Sequence, residues 1–130
     1  MAVRLLLDTC TFLWLIEGSR SLSAGARAAF QDPANTVYLS VVSAWEIAVK
    51  HSLRRLKLAD PPDRLVPRER ERHGILSLAL SEDAVLHLTR LPDRHQDPFD
   101  RMLVCQALAD GMLILTPDPL IQSYPVRTHW

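Results

Sequence analysis

Short apolar runs alternate with helix-periodic stretches along this chain, and that alternation limits its fold more than any other feature. Residues 3–7, 36–39, 75–80 and 112–115 are mostly apolar runs of strand length. Between them the spacing of apolar residues predicts helices over 11–17, 22–31, 41–56, 64–73, 81–91 and 98–110, with a short one after the turn Thr116-Pro117-Asp118-Pro119. Strand and helix in alternation give an α/β layered fold: a mainly parallel central sheet of about four strands, flanked by helices. Near-continuous apolar strands agree, because such strands are covered on both faces. There is no repeat and no linker. The break at Pro61-Pro62 sits too close to its flanking helices to separate two domains, so residues 1–130 read as one domain.

Composition narrows the function. The chain carries 15 basic and 15 acidic residues and is 48% hydrophobic. A uniformly basic nucleic-acid coat is excluded, whereas a local basic patch is not. Cys10 and Cys105 cannot form a disulfide framework and suit a reducing compartment. No apolar stretch reaches the roughly 18–20 residues that span a bilayer, and the first residues carry no signal-peptide cleavage pattern. The expectation is a soluble, cytoplasmic protein with no membrane association.

Parallel strands joined by right-handed crossovers place all their C-terminal ends on one edge, where open α/β sheets bind ligands. Asp8 follows the first strand, and Asp118 lies just past the fourth. Glu46 is in the opening turns of the helix after the second strand. Asp100 is in the first turn of the helix that feeds the fourth strand, so it begins on the same edge. Four carboxylates brought together repel, and a divalent cation removes that cost. Hard oxygen donors without clustered Cys or His suit Mg2+ or Mn2+. Such an ion activates water and stabilises a phosphate, so phosphodiester hydrolysis is the natural reaction, with Asp8, Asp100 and Asp118 as the preferred ligands.

Each acid also has a plain structural explanation. Ser43 and Glu46 have the spacing of a capping box, and Glu46 with Lys50 that of an i,i+4 ion pair. Asp97-Pro98 and Asp118-Pro119 look like helix caps followed by proline, and Asp8 is placed to cap the first helix. Asp97 is assigned to capping alone. Capping does not require the other four acids to share one edge.

The blocks Leu5-Leu6-Leu7-Asp8-Thr9, Ser43-Ala44-Trp45-Glu46-Ile47-Ala48-Val49-Lys50, His95-Gln96-Asp97-Pro98-Phe99-Asp100-Arg101-Met102-Leu103 and Leu115-Thr116-Pro117-Asp118 occur in this order. Together they resemble the PIN-domain ribonucleases, and within these the VapC-type toxins of toxin–antitoxin pairs. The resemblance implies a metal-dependent endoribonuclease using Mg2+ or Mn2+. Asp8, Glu46, Asp100 and Asp118 take the places of the family's acidic quartet. Thr9 follows the first aspartate, and Thr116 matches a small hydroxyl residue that orients a carboxylate or water. The implied partners are an RNA substrate, a cognate antitoxin and a second copy of the chain in a homodimer.

Residues 50–72 hold eight basic against four acidic residues, which suits either an RNA-facing rim or a solvated helix face laced with ion pairs. Arg94, His95 and Arg101 flank Asp100 and are the stronger candidates for substrate contact. Cys10, Cys105, Phe12, Trp14 and Trp45 read as packing or interface residues. No phosphate-binding or dinucleotide glycine motif is present. The competing functions are a non-catalytic interaction module and a DNA-directed nuclease of the same fold.

Overall fold

The structure, a computed structural model, describes residues 2–93 and 97–130. Its strands are β1 (Arg4–Leu7), β2 (Thr36–Ser40), β3 (Leu76–Leu78), β4 (Leu113–Leu115) and β5 (Thr128–His129). They form one sheet in the order β3-β2-β1-β4-β5, and every neighbouring pair is parallel. The helices are α1 (Thr9–Glu17), α2 (Ala24–Gln31), α3 (Val41–Ser52), α4 (Pro62–Arg72), α5 (Glu82–His87), α6 (Pro98–Asp110) and α7 (Pro119–Gln122), with a 3-10 turn over Leu88–Arg90. No described helix is long and apolar enough to cross a membrane.

β1 is the central strand, and its side chains alternate between two cores. Leu5 and Leu7 pack with Phe12, Leu39, Ile47 and Ile75 on one face. Leu6 packs with Leu103, Val104, Ile114 and Ile121 on the other. Continuous apolar sequence at 5–7 is therefore the signature of a strand covered on both sides, as expected. Phe12 and Cys105 are fully buried, in line with the packing assigned to them. Trp45 is not core: it is 58% exposed, with its ring edge-on to Phe99 at 4.8 Å between centroids. Trp14 packs instead against Trp130.

The structure departs from the sequence expectation chiefly at three places. The sheet gains β5, because a two-residue strand leaves no periodicity to read; it is held by Ile114 N–H to Arg127 O and Thr116 N–H to His129 O bonds. α3 stops at Ser52 rather than near residue 56, since Arg54 turns into the left-handed region at φ 59°. The expected helix over 64–73 forms as α4, which runs unbroken through Pro67 from Pro62, a proline suited to a first helical position. The cap of α3 is Ser40, whose hydroxyl accepts from Val42 N–H; Ser43 sits within the helix, so no capping box forms.

Candidate active site

Strand register brings the first part of the site together. Leu7 of β1 is paired with Leu115 of β4, so the next residues, Asp8 and Thr116, face each other across the strand ends. Thr116 Oγ1 donates to Asp8 Oδ2 at 2.5 Å and accepts from Asp118 N–H at 3.0 Å. Thr11 N–H donates to Asp8 Oδ1 at 2.8 Å, making Asp8 the cap of α1. Asp118 caps α7 through Leu120 N–H. Asp97 caps α6 through the N–H groups of Phe99 and Asp100. Capping and a role at the edge coexist, because a carboxylate has lone pairs beyond those a cap uses.

The second part is built on α1 and α3. Glu46 is 4% exposed, and both its oxygens are engaged. Thr9 Oγ1 donates to Glu46 Oε1 at 2.6 Å and lies 3.0 Å from Ser43 Oγ. Lys50 Nζ, one helical turn on, pairs with Glu46 Oε2. Burial works against the Lys50 charge, but the hydrogen bond and charge of Glu46, reinforced by Asp97 and Asp100, outweigh it and hold the ammonium above the usual lysine value.

Asp100 links the two parts. Its charge acts on Lys50 and on the Cys10 thiol. Cys10 also feels Asp118 and donates to Asp8, with Sγ to Oδ1 at 3.4 Å. Burial, then this ring of negative charge, drives the Cys10 thiol far above its ordinary value and keeps it protonated. Burial also raises the Asp8 carboxyl, despite bonds from Thr11, Thr116 and Cys10 that favour its charged form. A carboxylate 2% exposed is thus left electrostatically uncomfortable.

This tests the fit to a hard cation. The donors are carboxylate oxygens, and Asp8 is a desolvated anion whose environment lacks compensating charge. Both features suit a divalent ion that prefers oxygen. Among the described residues no three His, Cys, Asp or Glu side chains already stand close enough to hold a metal together.

The remaining sequence candidates fall elsewhere. Arg94 and His95 lie outside the described residues. Arg101 is turned to its own chain: its guanidinium donates to Pro92 O at 3.1 Å and Tyr124 Oη at 3.3 Å, with Asp93 at 3.6 Å. Sequence reasoning gave Ser43 only a capping role and passed over the hydroxyl of Thr11, which donates to Leu115 O at 3.1 Å and ties α1 to the end of β4. Their only signal was a run of hydroxyl residues beside the acids.

A model of the PIN domain family matches residues 5–125. The chain belongs to the PIN domain family. The fold of this PIN domain is similar to that of solved toxin–antitoxin assemblies. One is VapBC2 from Rickettsia felis bound to a promoter DNA fragment, with TM-score 0.73 and 13% identity over 98% of this chain and 99% of that one. Another is DNA-bound VapBC from Salmonella typhimurium, with TM-score 0.70 and 18% identity over 98% and 97%. A third is a toxin–antitoxin complex from Klebsiella pneumoniae, with TM-score 0.62 and 16% identity over 96% and 95%. At these identities the likeness is one of fold. A search of curated proteins found no match.

Proposed function

We propose that this PIN domain is a metal-dependent endoribonuclease, the VapC-type toxin of a toxin–antitoxin pair acting in the cytoplasm. The observation that supports the reading is the Thr116 bridge from buried Asp8 to the backbone of Asp118 at the strand ends, beside a Cys10 thiol that also feels the charge of Asp100. Asp8, Asp100 and Asp118 are the residues to hold Mg2+ or Mn2+, directly or through water. When bound, such an ion lowers the cost of hydroxide formation and offsets the charge growing on a phosphate. Thr116 and Thr11 aim Asp8. Glu46, fixed by Thr9 and Lys50, either completes the set that would hold the metal or helps deprotonate the attacking water. Arg94 and His95, beside Asp97 in sequence, meet the RNA, and Arg101 steadies the approach to Asp100. A cognate antitoxin is the inhibitory partner, and a second copy of the chain completes a homodimer. The names of the similar assemblies support the antitoxin.

The test is cleavage of single-stranded RNA by purified protein in Mg2+ or Mn2+, with Asp8→Asn and Asp100→Asn alongside. Cleavage by wild type alone, lost on chelation, is expected. Equal cleavage by all three proteins points to a contaminating nuclease. Cleavage of DNA but not RNA makes it a DNA nuclease, and cleavage of neither leaves an interaction module.

A further inference from the structure

The basic stretch 50–72 divides in two in the structure. Its C-terminal part, 58–72, contains equal numbers of acidic and basic residues, and these pair along α4: Arg68 reaches Asp60 at 2.9 Å and Glu69 at 3.7 Å, and Arg72 reaches Glu69 at 3.8 Å. The whole excess of positive charge therefore lies in 50–57, where there is no acid. Arg54, Arg55 and Lys57 are exposed and make no ion pair among the described residues. His51, Arg54 and Lys57 line an open groove of about 630 Å3 just past the end of α3. Arg54 is, among the described residues, the one non-glycine with positive φ, at 59°. That is the position after a helix where glycine is ordinarily favoured.

The groove and the site are joined by α3, which starts at the carboxylate edge and ends at the groove. Glu46 and Lys50 lie on one face of α3, and six residues of helix, about 9 Å, separate Glu46 from Ser52 at the groove's edge. Lys50 and His51 also complement the negative end of the helix. Arg54 and Lys57 lie beyond the helix, and the helix dipole does not explain them.

We infer that the groove of Arg54, Lys57 and His51 carries the sugar-phosphate backbone of the single-stranded RNA leading to the carboxylates. The inference rests on the proposed nuclease function and assigns its substrate a path. Unpaired guanidinium and ammonium groups on an open surface fit a repeating anion that is read without regard to base. The arginine at a left-handed position keeps a guanidinium in the groove where a glycine would suit the backbone better.

The test is fluorescence anisotropy with a labelled single-stranded RNA in chelator, so that binding is read without cleavage. The variants are Arg54→Gly with Lys57→Gln, and Arg68→Gln on α4. Glycine suits the backbone at 54, so the double variant is expected to melt no lower than wild type. Losing two phosphate contacts lowers the slope of log affinity against log salt by about 1.4, or roughly 25-fold in affinity at 0.1 M relative to 1 M salt. Arg68→Gln is expected to match wild type. If the double variant binds with unchanged slope while wild type cleaves RNA, the path is wrong and the nuclease function stands. If wild type neither binds nor cleaves RNA, both fall. If the double variant loses affinity for polyglutamate but not RNA, the groove serves an acidic protein and the inference is overturned.

Discussion

Replacing Thr116 by valine removes one hydroxyl and almost no volume, at a residue with no solvent exposure. Two bonds go with it: the one given to Asp8 Oδ2 at 2.5 Å and the one accepted from Asp118 N–H at 3.0 Å. The first goes to a buried charged group, where a hydrogen bond contributes about 1.5–3 kcal/mol; the second, at a half-buried backbone group, adds roughly 0.5–1.5. The expected loss at neutral pH is about 2–4 kcal/mol. For a domain of 130 residues that lowers Tm by roughly 10 °C. Because the lost bond favours ionised Asp8, the gap narrows as pH falls and the carboxyl takes up its proton. Thr116→Ser keeps both bonds and loses only a methyl, about 1 kcal/mol. Thermal melts by circular dichroism at pH 7 and pH 4, with chelator present, decide the matter. A Thr116→Val protein melting within about 2 °C of wild type at pH 7, or a gap that widens in acid, refutes the assignment of Thr116 as the bridge between the two aspartates.

Other consequences are as direct. Burial raises the Asp8 carboxyl above its unfolded value, so its ionisation opposes folding. Metal-free wild type should therefore gain stability as pH falls through the folded pKa toward the ordinary carboxylate value of 3.8, and Asp8→Asn should flatten that part of the profile in urea titrations. Mg2+ or Mn2+ at a hundredfold excess over Kd should stabilise wild type by about 2.7 kcal/mol and leave Asp8→Asn unmoved, measured by melting. Lys50→Met strands a buried Glu46 and should cost about 1–2 kcal/mol in urea unfolding, discounted because the Lys50 side chain is 42% exposed. Since the folded ammonium sits above the usual lysine value, that difference should persist below the unfolded pKa and fade as pH rises through the folded one. Cys10 should react slowly with a thiol reagent at pH 8 in the folded, metal-free protein and at ordinary rates in urea, followed by absorbance; fast native reaction would contradict its acidic surroundings.

Much of this was legible in the sequence because the signals were topological. An apolar run at 5–7 followed by Asp8, and another at 113–115 followed by Thr116, fix strand ends, and parallel register does the rest. Asp97, read as a cap, is one. Glu46 and Lys50 pair as their spacing requires. What sequence hid was non-local or too short to be periodic. β5 spans two residues. The end of α3 depends on a backbone conformation that arginine rarely adopts. The charge of 50–72 read as one basic segment, and only the pairings on α4 show which half is neutralised. Trp45 read as either core or interface, and its helical phase rules out the core by placing it outward beside Phe99.

The alternation of Leu5, Leu6 and Leu7 between two packed layers has a consequence for how this molecule fails. Asp8 inherits its position from a strand gripped on both sides, so it has no slack with which to absorb a neighbour's error. Trimming Leu6 to alanine, inside an apolar cluster, opens a void on one side and lets the strand tip drift toward it. A survey of inactivating lesions should accordingly recover greasy interior positions alongside the acids themselves, and the two kinds should part company only when soluble yield is scored.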